Sequence, residues 1–381
     1  MIIDTTMVNI NRKISEGLKK AIKGEKKVII LYGPRQAGKT TLIKQLLFEM
    51  GKEFEYFTGD DLYAQNIFSR NELESLRKVL KNEIVVIDEA QKIENIGNSL
   101  KLIFDNLDIK IITSGSASFD LANKLSEPLT GRTKTFWLYP LAYSEVADRY
   151  YKTDPGTALE EMLRFGMYPK THTLESNKEK ESYLYEYLNN YLYKDILTFS
   201  GVRKPKKVID LLTLLALQIG KEVAISELAQ ALSLSQQSVN NYLDILEKMF
   251  VIVNLRGFSR NLRKEISKTS KYYFMDVGLR NALIRNFNSV NVRSDFGELL
   301  ENWFVVEKIK AADIFENPAN FYFWRTYDQQ EIDLIEEREG KLIGYEIKWK
   351  NKAIKEPSEW LKAYDESSFN AVNRENYNKF L

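Results

Sequence analysis

No cysteine occurs among the 381 residues. Disulfides, thiolate zinc sites and cysteine nucleophiles are therefore excluded. Histidine occurs once, as His172, in the polar stretch Lys170, Thr171, His172, Thr173. With no Gly-x-Ser-x-Gly elbow, serine–histidine catalysis has no support, and His172 reads as a solvated loop residue. Long apolar runs are missing as well: the run at 211–217 falls far short of the ~20 residues that span a bilayer, and no basic-then-apolar signal opens the chain. The expectation is a cytoplasmic protein with no membrane partner. An excess of one charge is also lacking. Lys and Arg number 55 against 53 Asp and Glu, a net charge of +2, so any attraction to nucleic acid must come from a local patch. With 18 Gly and 8 Pro, a long disordered linker is not expected.

What is present is an ordinary globular composition, 44% apolar and 28% charged, able to bury real cores. The length predicts two or three domains. In the first 150 residues, strand-like runs at 27–32, 53–57, 84–87, 109–113 and 133–138 alternate with helix-like blocks. Such alternation predicts a parallel sheet in a doubly wound α/β domain. After Pro140 the pattern turns helical, as a lid or connector, and its tyrosines (Tyr183, Tyr185, Tyr187, Tyr191, Tyr193) read as core. A boundary follows at Lys204, Pro205, Lys206 and Lys207. Beyond it come two short helices, expected to be capped by Ser226 and Ser235, and a strand pair. Helix, tight turn, helix, hairpin outlines a winged helix-turn-helix. A third block of helix and strands begins near Gly297. The expected division is 1–140, 141–203, 204–288 and 289–381.

The strand at 27–32 runs into Gly33, Pro34, Arg35, Gln36, Ala37, Gly38, Lys39 and Thr40, and a helix follows with Thr41. Gly-x4-Gly-Lys-Thr between a strand and a helix is a P-loop: its amides and the helix N-terminus converge on phosphate. Gly33 and Gly38 allow the loop conformation, Lys39 reaches the β- and γ-phosphates, and Thr40 offers a hydroxyl to Mg2+. ATP with Mg2+ is the expected ligand. Four apolar residues, 84–87, end in Asp88 and Glu89. Asp88 is expected on a strand beside the P-loop, holding the magnesium water shell, and Glu89 is expected to act as general base on the attacking water. The strand ending Thr113, Ser114, Gly115, Ser116 offers Ser116 or Ser114 as a γ-phosphate sensor. Arg132 is a candidate for neutralising transition-state charge, in its own site or a neighbour's.

These motifs, with Ala90-Gln91 after the acidic pair, Gly131-Arg132, Tyr139-Pro140-Leu141 and the stretch Lys271 to Leu279, resemble a family of bacterial and archaeal AAA-like ATPases. Its members join a P-loop domain to a winged helix and a restriction-nuclease-like C-terminal domain. The resemblance covers nearly the whole chain. It implies an α/β P-loop NTPase of the AAA-like, additional-strand class, with a small α/β nuclease-like domain.

The C-terminal part carries its own acidic pattern. A two-residue turn at Glu339-Gly340 would set Arg338 against Lys341, Asp333 against Glu346 and Glu331 against Lys348. Ile332 and Ile347, with Leu334 and Tyr345, would form the apolar face. Two facing carboxylates repel unless a cation lies between them, so Asp333 and Glu346 are expected Mg2+ ligands. Lys348 is expected to orient water or stabilise the phosphorane. The preceding helix offers Glu301, with Glu298 on the same face. Asp then Glu-x-Lys resembles the core of restriction-type nucleases, either active or retained as an inert module.

Gln236, Gln237 and Asn240 open the second short helix, where they can reach a major groove. Arg256, Arg260, Arg263, Lys264, Lys268 and Lys271 make a basic wing suited to phosphate contacts. DNA is one expected partner. A protein docked on the winged helix is the other, and an oligomer is open. The leading reading is an ATP-dependent nucleic-acid enzyme. The alternative is a nucleotide-controlled switch or adaptor with an inert nuclease-like domain.

Overall fold

Five short strands form the first sheet: β1 (Val28–Tyr32), β2 (Glu55–Thr58), β3 (Ile84–Asp88), β4 (Lys110–Gly115) and β5 (Thr133–Trp137). All are parallel, in the order β2-β3-β4-β1-β5. The computed structural model describes residues 10–116, 128–150, 154–198, 202, 204–259, 270–326, 330–351, 354–364 and 366–381. Every residue of β1 and β3 is buried, as expected of strands covered by helices on both faces. The helices Ser15–Lys23 and Lys39–Glu49 pack Leu18, Ile22, Leu42, Ile43, Leu46 and Leu47 against Ile29, Leu31, Val86 and Ile112. β4 lies between the P-loop strand β1 and β3, and the Asp88 end of β3 still reaches the P-loop helix through Thr40.

The described chain divides into two compact units. One holds Asn9–Pro140 with Lys248–Phe250, and the other Leu141–Glu247 with Val251–Leu381. The second unit opens with helices, among them Pro155–Phe165, Asn177–Tyr187 and Pro205–Leu217. Tyr187 is buried and shares a 2.7 Å hydroxyl–hydroxyl hydrogen bond with Tyr168, so it serves the core. His172 is not solvated. The 3-10 turn Pro169–His172 leaves Lys170 exposed and folds Thr171 and His172 inward, His172 to 8% exposure. Ser226 is not a cap either, since its helix starts at Ile225 with Ala224 at the N-cap. Ser235 does cap, accepting from the Ser238 amide at 3.1 Å.

Seven strands make the second sheet: β6 (Glu222–Val223), β7 (Ile252–Gly257), β8 (Ser270–Phe274), β9 (Asn320–Arg325), β10 (Glu331–Arg338), β11 (Lys341–Ile347) and β12 (Ser367–Val372). Their order is β12-β11-β10-β9-β7-β8-β6. The strand pair of the helix-turn-helix segment and the C-terminal hairpin therefore share one sheet, joined where β7 runs parallel to β9 at Arg256–Tyr322 and Gly257–Phe323.

The β10–β11 hairpin turns at Glu339 (φ 51) and Gly340 (φ 79). Two positive φ values in succession suit a two-residue turn that matches strand twist. Pairing follows the expected register from Arg338–Lys341 to Leu334–Tyr345. Among the described pairs of this ladder it stops there, short of the expected 333–346, 332–347 and 331–348 pairs. A register shift against β9 falls between Ile332 and Ile335, and the Asp333 carboxylate instead accepts the Ile347 backbone N–H at 2.9 Å. A bulge of this kind re-aims side chains at a strand end.

Candidate functional site

The P-loop leaves β1 at Tyr32 and enters the helix Lys39–Glu49. Gly33 is required by close approach: a Cβ there would lie 2.0 Å from the Leu138 carbonyl oxygen. Gln36 and Gly38 take left-handed backbone (φ 58 and 96), the concave geometry that turns amides toward an anion. Pro34 and Ala37 are buried, Arg35 is half-buried, and Thr41 is exposed on the first helical turn. The Lys39 ammonium folds over the loop and donates to the carbonyls of Gly33 (2.7 Å) and Pro34 (3.0 Å). Arg12 supports the loop from below. Its guanidinium donates to Ala37 O (2.7 Å) and Tyr139 O (2.8 Å), and the residue is 8% exposed. Nothing in the local pattern around Arg12 points to this role.

Asp88 collects four donors. Oδ2 accepts from Thr40 Oγ1 (2.5 Å) and Tyr56 OH (2.8 Å), while Oδ1 accepts from the Ser114 hydroxyl and from the Glu89 amide (3.0 Å). Burial alone would raise this carboxyl. The hydrogen bonds from Ser114, Thr40 and Tyr56, with the Lys39 charge, outweigh burial and hold it below the ordinary carboxylate range. Burial, then the Asp88 hydrogen bond, push Tyr56 the other way, above an ordinary phenol. Thr40 and Asp88 are adjacent hard oxygen donors, a set that fits Mg2+. Glu89 leaves β3 in left-handed backbone (φ 48). Its Oε2 accepts from Gln91 Nε2 (2.5 Å) and Ser116 Oγ (3.0 Å), and Gln91 also reaches Ser116 (3.1 Å). Ser114 and Ser116 thus each hold one acid of the pair. Tyr56 is not among the residues selected from sequence, and Gln91 enters there only as part of the motif, with no role, because their roles depend on which strands adjoin.

Arg132 is not brought to this site. It precedes β5, its carbonyl accepts the Val28 amide (2.8 Å), and its guanidinium pairs with Asp105 (3.2 Å). The P-loop begins at the other end of β1, four residues and ~13 Å away.

A second cluster lies in the second unit. Glu331, Asp333 and Glu346 bring carboxylate oxygens within 4.8 Å of one another. Glu331 and Glu346 line a cleft of about 400 Å³ with Gln330, Lys355 and Phe369. Lys348 Nζ lies 2.6 Å from Glu346 and 3.4 Å from Asp333. Glu346 is 7% exposed, and its Oε2 is buried without a hydrogen-bond partner among the described residues. Burial first, then Asp333, push its carboxyl up to about 7. Three hard oxygen donors, one of them orphaned, suit a divalent cation.

Glu301 stands apart from this trio. The helix Phe296–Ile314 presents it to β8, where Lys271 Nζ (3.1 Å) and Tyr273 OH (2.6 Å) both donate to its Oε1. Burial and the Asp333 charge raise Glu301 against these partners. Lys271 is therefore not a residue of the basic wing. It is 5% exposed and also 3.6 Å from Asp333. A run of basic residues does not reveal which one turns inward on a strand. Gln236, Gln237, Asn240 and Arg256 are exposed, whereas Arg260, Arg263, Lys264 and Lys268 lie outside the described residues.

Known proteins agree with this geometry at the level of fold. Residues 25–147 match the AAA domain, 156–290 a domain of unknown function (DUF8612) and 296–376 a domain of unknown function (DUF4143). The Walker-type ATPase PABY2304 of Pyrococcus abyssi superposes with a TM-score of 0.54 at 18% identity, covering 74% of this chain and 99% of that one. The uncharacterized protein MJ1544 of Methanocaldococcus jannaschii is 27% identical over 365 residues, 90% of this chain and 78% of the relative. The uncharacterized protein Rv2008c of Mycobacterium tuberculosis is 30% identical over 328 residues, 84% of this chain and 70% of its own. The chain belongs to the same family as Rv2008c, a family of P-loop, ATPase-like proteins built on the AAA domain.

Proposed function

We propose that the chain binds ATP with Mg2+ at residues 33–41 and hydrolyses it. The observation that carries this reading is the Thr40–Asp88 hydrogen bond, which joins the P-loop helix to the acidic end of β3 with Glu89 next in line. Lys39 exchanges its loop carbonyls for the β- and γ-phosphate oxygens. Thr40 and Asp88 would hold a Mg2+ ion bound with the nucleotide, which would supply positive charge to the phosphates. Glu89 takes the proton of the water that attacks the γ-phosphorus, and Gln91 and Ser116 fix its carboxylate. Any part played by Arg132 belongs to a neighbouring copy's site. Purified Lys39→Ala protein should lose ATP turnover, and unchanged hydrolysis would remove the assignment.

A second reading concerns the other unit. Its helix-turn-helix and strand pair act as a winged helix on DNA through Gln236, Gln237, Asn240 and Arg256, and the cleft is a restriction-nuclease-like site. What supports this is the cluster of Glu331, Asp333 and Glu346 with Lys348 paired to two of them, at a cleft that Glu331 and Glu346 line. A divalent ion there would polarise a phosphodiester oxygen; Glu331, Asp333 and Glu346 would hold it, and Lys348 would orient water. Plasmid cleavage with Mg2+ or Mn2+ should vanish in Asp333→Ala, and cleavage surviving in that variant points to another site. DNA retained without cleavage favours the nucleotide-controlled switch, and no retention even at low salt favours a protein adaptor.

A further inference from the structure

Two ammonium groups share the Asp333 carboxylate, and they are held differently. Lys348 has 45% of its side chain exposed. A flexible lysine at the surface can withdraw its amine into water when a divalent ion arrives. Lys271 has no such freedom. It lies on β8 opposite Glu222, with 7% of its side chain exposed and its ammonium 5.6 Å from the centre of the Phe323 ring. It spans Glu301 Oε1 (3.1 Å) and Asp333 Oδ1 (3.6 Å). Tyr273, two residues along the strand, donates to the same Glu301 oxygen. Withdrawing a buried ammonium from between two buried carboxylates would leave like charges facing each other in a low-dielectric interior.

A divalent cation held here would bridge carboxylate oxygens. The acids offer two bridges that share Asp333. One is the trio Glu331, Asp333 and Glu346, of which Glu331 and Glu346 line the cleft and Glu346 carries the orphaned oxygen. The other is Glu301 with Asp333, and a cation already fills it. We infer that the Lys271 ammonium is a built-in substitute for a second metal ion, so that the cleft takes a single divalent cation at Glu331, Asp333 and Glu346. The inference rests on the metal reading of the cleft. It sets the class of chemistry: a clamp of two ions about 3.5–4 Å apart is replaced by one ion and a fixed protein charge.

The test is a Mn2+ titration of nucleotide-free, full-length protein, with free ion followed by electron paramagnetic resonance. Only ions whose binding disappears in Asp333→Asn are counted. Wild type should bind one such ion per chain, and Lys271→Met should bind two. Lys271→Met combined with Glu301→Gln should return to one, since the second bridge has lost its charge. Two Asp333-dependent ions in wild type would overturn the role of Lys271 and leave the metal reading standing. No Asp333-dependent ion in wild type would overturn both. A folded Lys271→Met that still binds one ion would overturn the substitution by Lys271 alone. Should that variant fail to fold, the wild-type count still decides between one ion and two.

Discussion

The hydroxyl of Thr40 donates to the carboxylate of Asp88 at 2.5 Å, across 48 residues of sequence. This contact links the first turn of the P-loop helix to the end of β3, although β4 separates β3 from the P-loop strand. The three side-chain hydrogen bonds that Asp88 accepts, from Thr40, Tyr56 and Ser114, have differing jobs, and each can be removed singly.

Tyr56→Phe deletes one hydrogen bond to a charged acceptor and leaves the ring in place. Such bonds contribute about 1.5–3 kcal/mol. The Mg2+ concentration that half-saturates ATP turnover should rise on the order of 10-fold, with a smaller change in the saturated rate. A Mg2+ titration at fixed ATP measures it. An unchanged midpoint would mean that Tyr56 only packs beside Asp88.

Arg12→Ala removes two buried hydrogen bonds that tie the P-loop to the segment after β5. A loss of about 3 kcal/mol in stability follows from removing two buried hydrogen bonds from a charged donor, each contributing about 1.5 kcal/mol. Thermal unfolding with and without ATP should show a lower Tm and a smaller nucleotide-induced rise. Retention of the full rise would place Arg12 outside the loop's support.

Acidity at the cleft gives a prediction with a definite sign. Glu346 is raised from its ordinary value to about 7 by burial and then by Asp333. A carboxyl raised on folding contributes stability that is fully present below its unfolded pKa and is lost as pH rises through the folded one. In EDTA, the Tm of wild type should therefore fall between about pH 5 and pH 8, and Glu346→Gln should flatten that fall. Mn2+ should restore wild-type Tm at the alkaline end and leave Glu346→Gln unmoved. A wild-type profile as flat as the variant's would contradict the account.

Much of the first unit was legible in the sequence, since a strand buried on both faces must be continuously apolar and the P-loop must sit between strand and helix. Strand order was not legible. Nothing in 84–88 or 110–115 states that β4 separates β3 from β1, so the joint arrival of Tyr56, Thr40 and Ser114 at Asp88 could not be read. The hairpin shows both sides of the matter. Its turn residues set the register from Arg338 to Leu334, but the bulge at Asp333 arises where β10 also pairs with β9, the strand before it, and the turn says nothing of that second pairing. Lys271 and His172 were misjudged for one reason: each has polar neighbours in sequence, and burial is decided by the partner element.

The central claim is that Glu89 is the base of an ATP-hydrolysing site. The most direct measurement compares ATP binding and phosphate release in wild type and Glu89→Gln with Mg2+. The account predicts unchanged ATP affinity and phosphate release slower by about 10²–10⁴-fold, the contribution of a general base. Phosphate release by Glu89→Gln at the wild-type rate would contradict it.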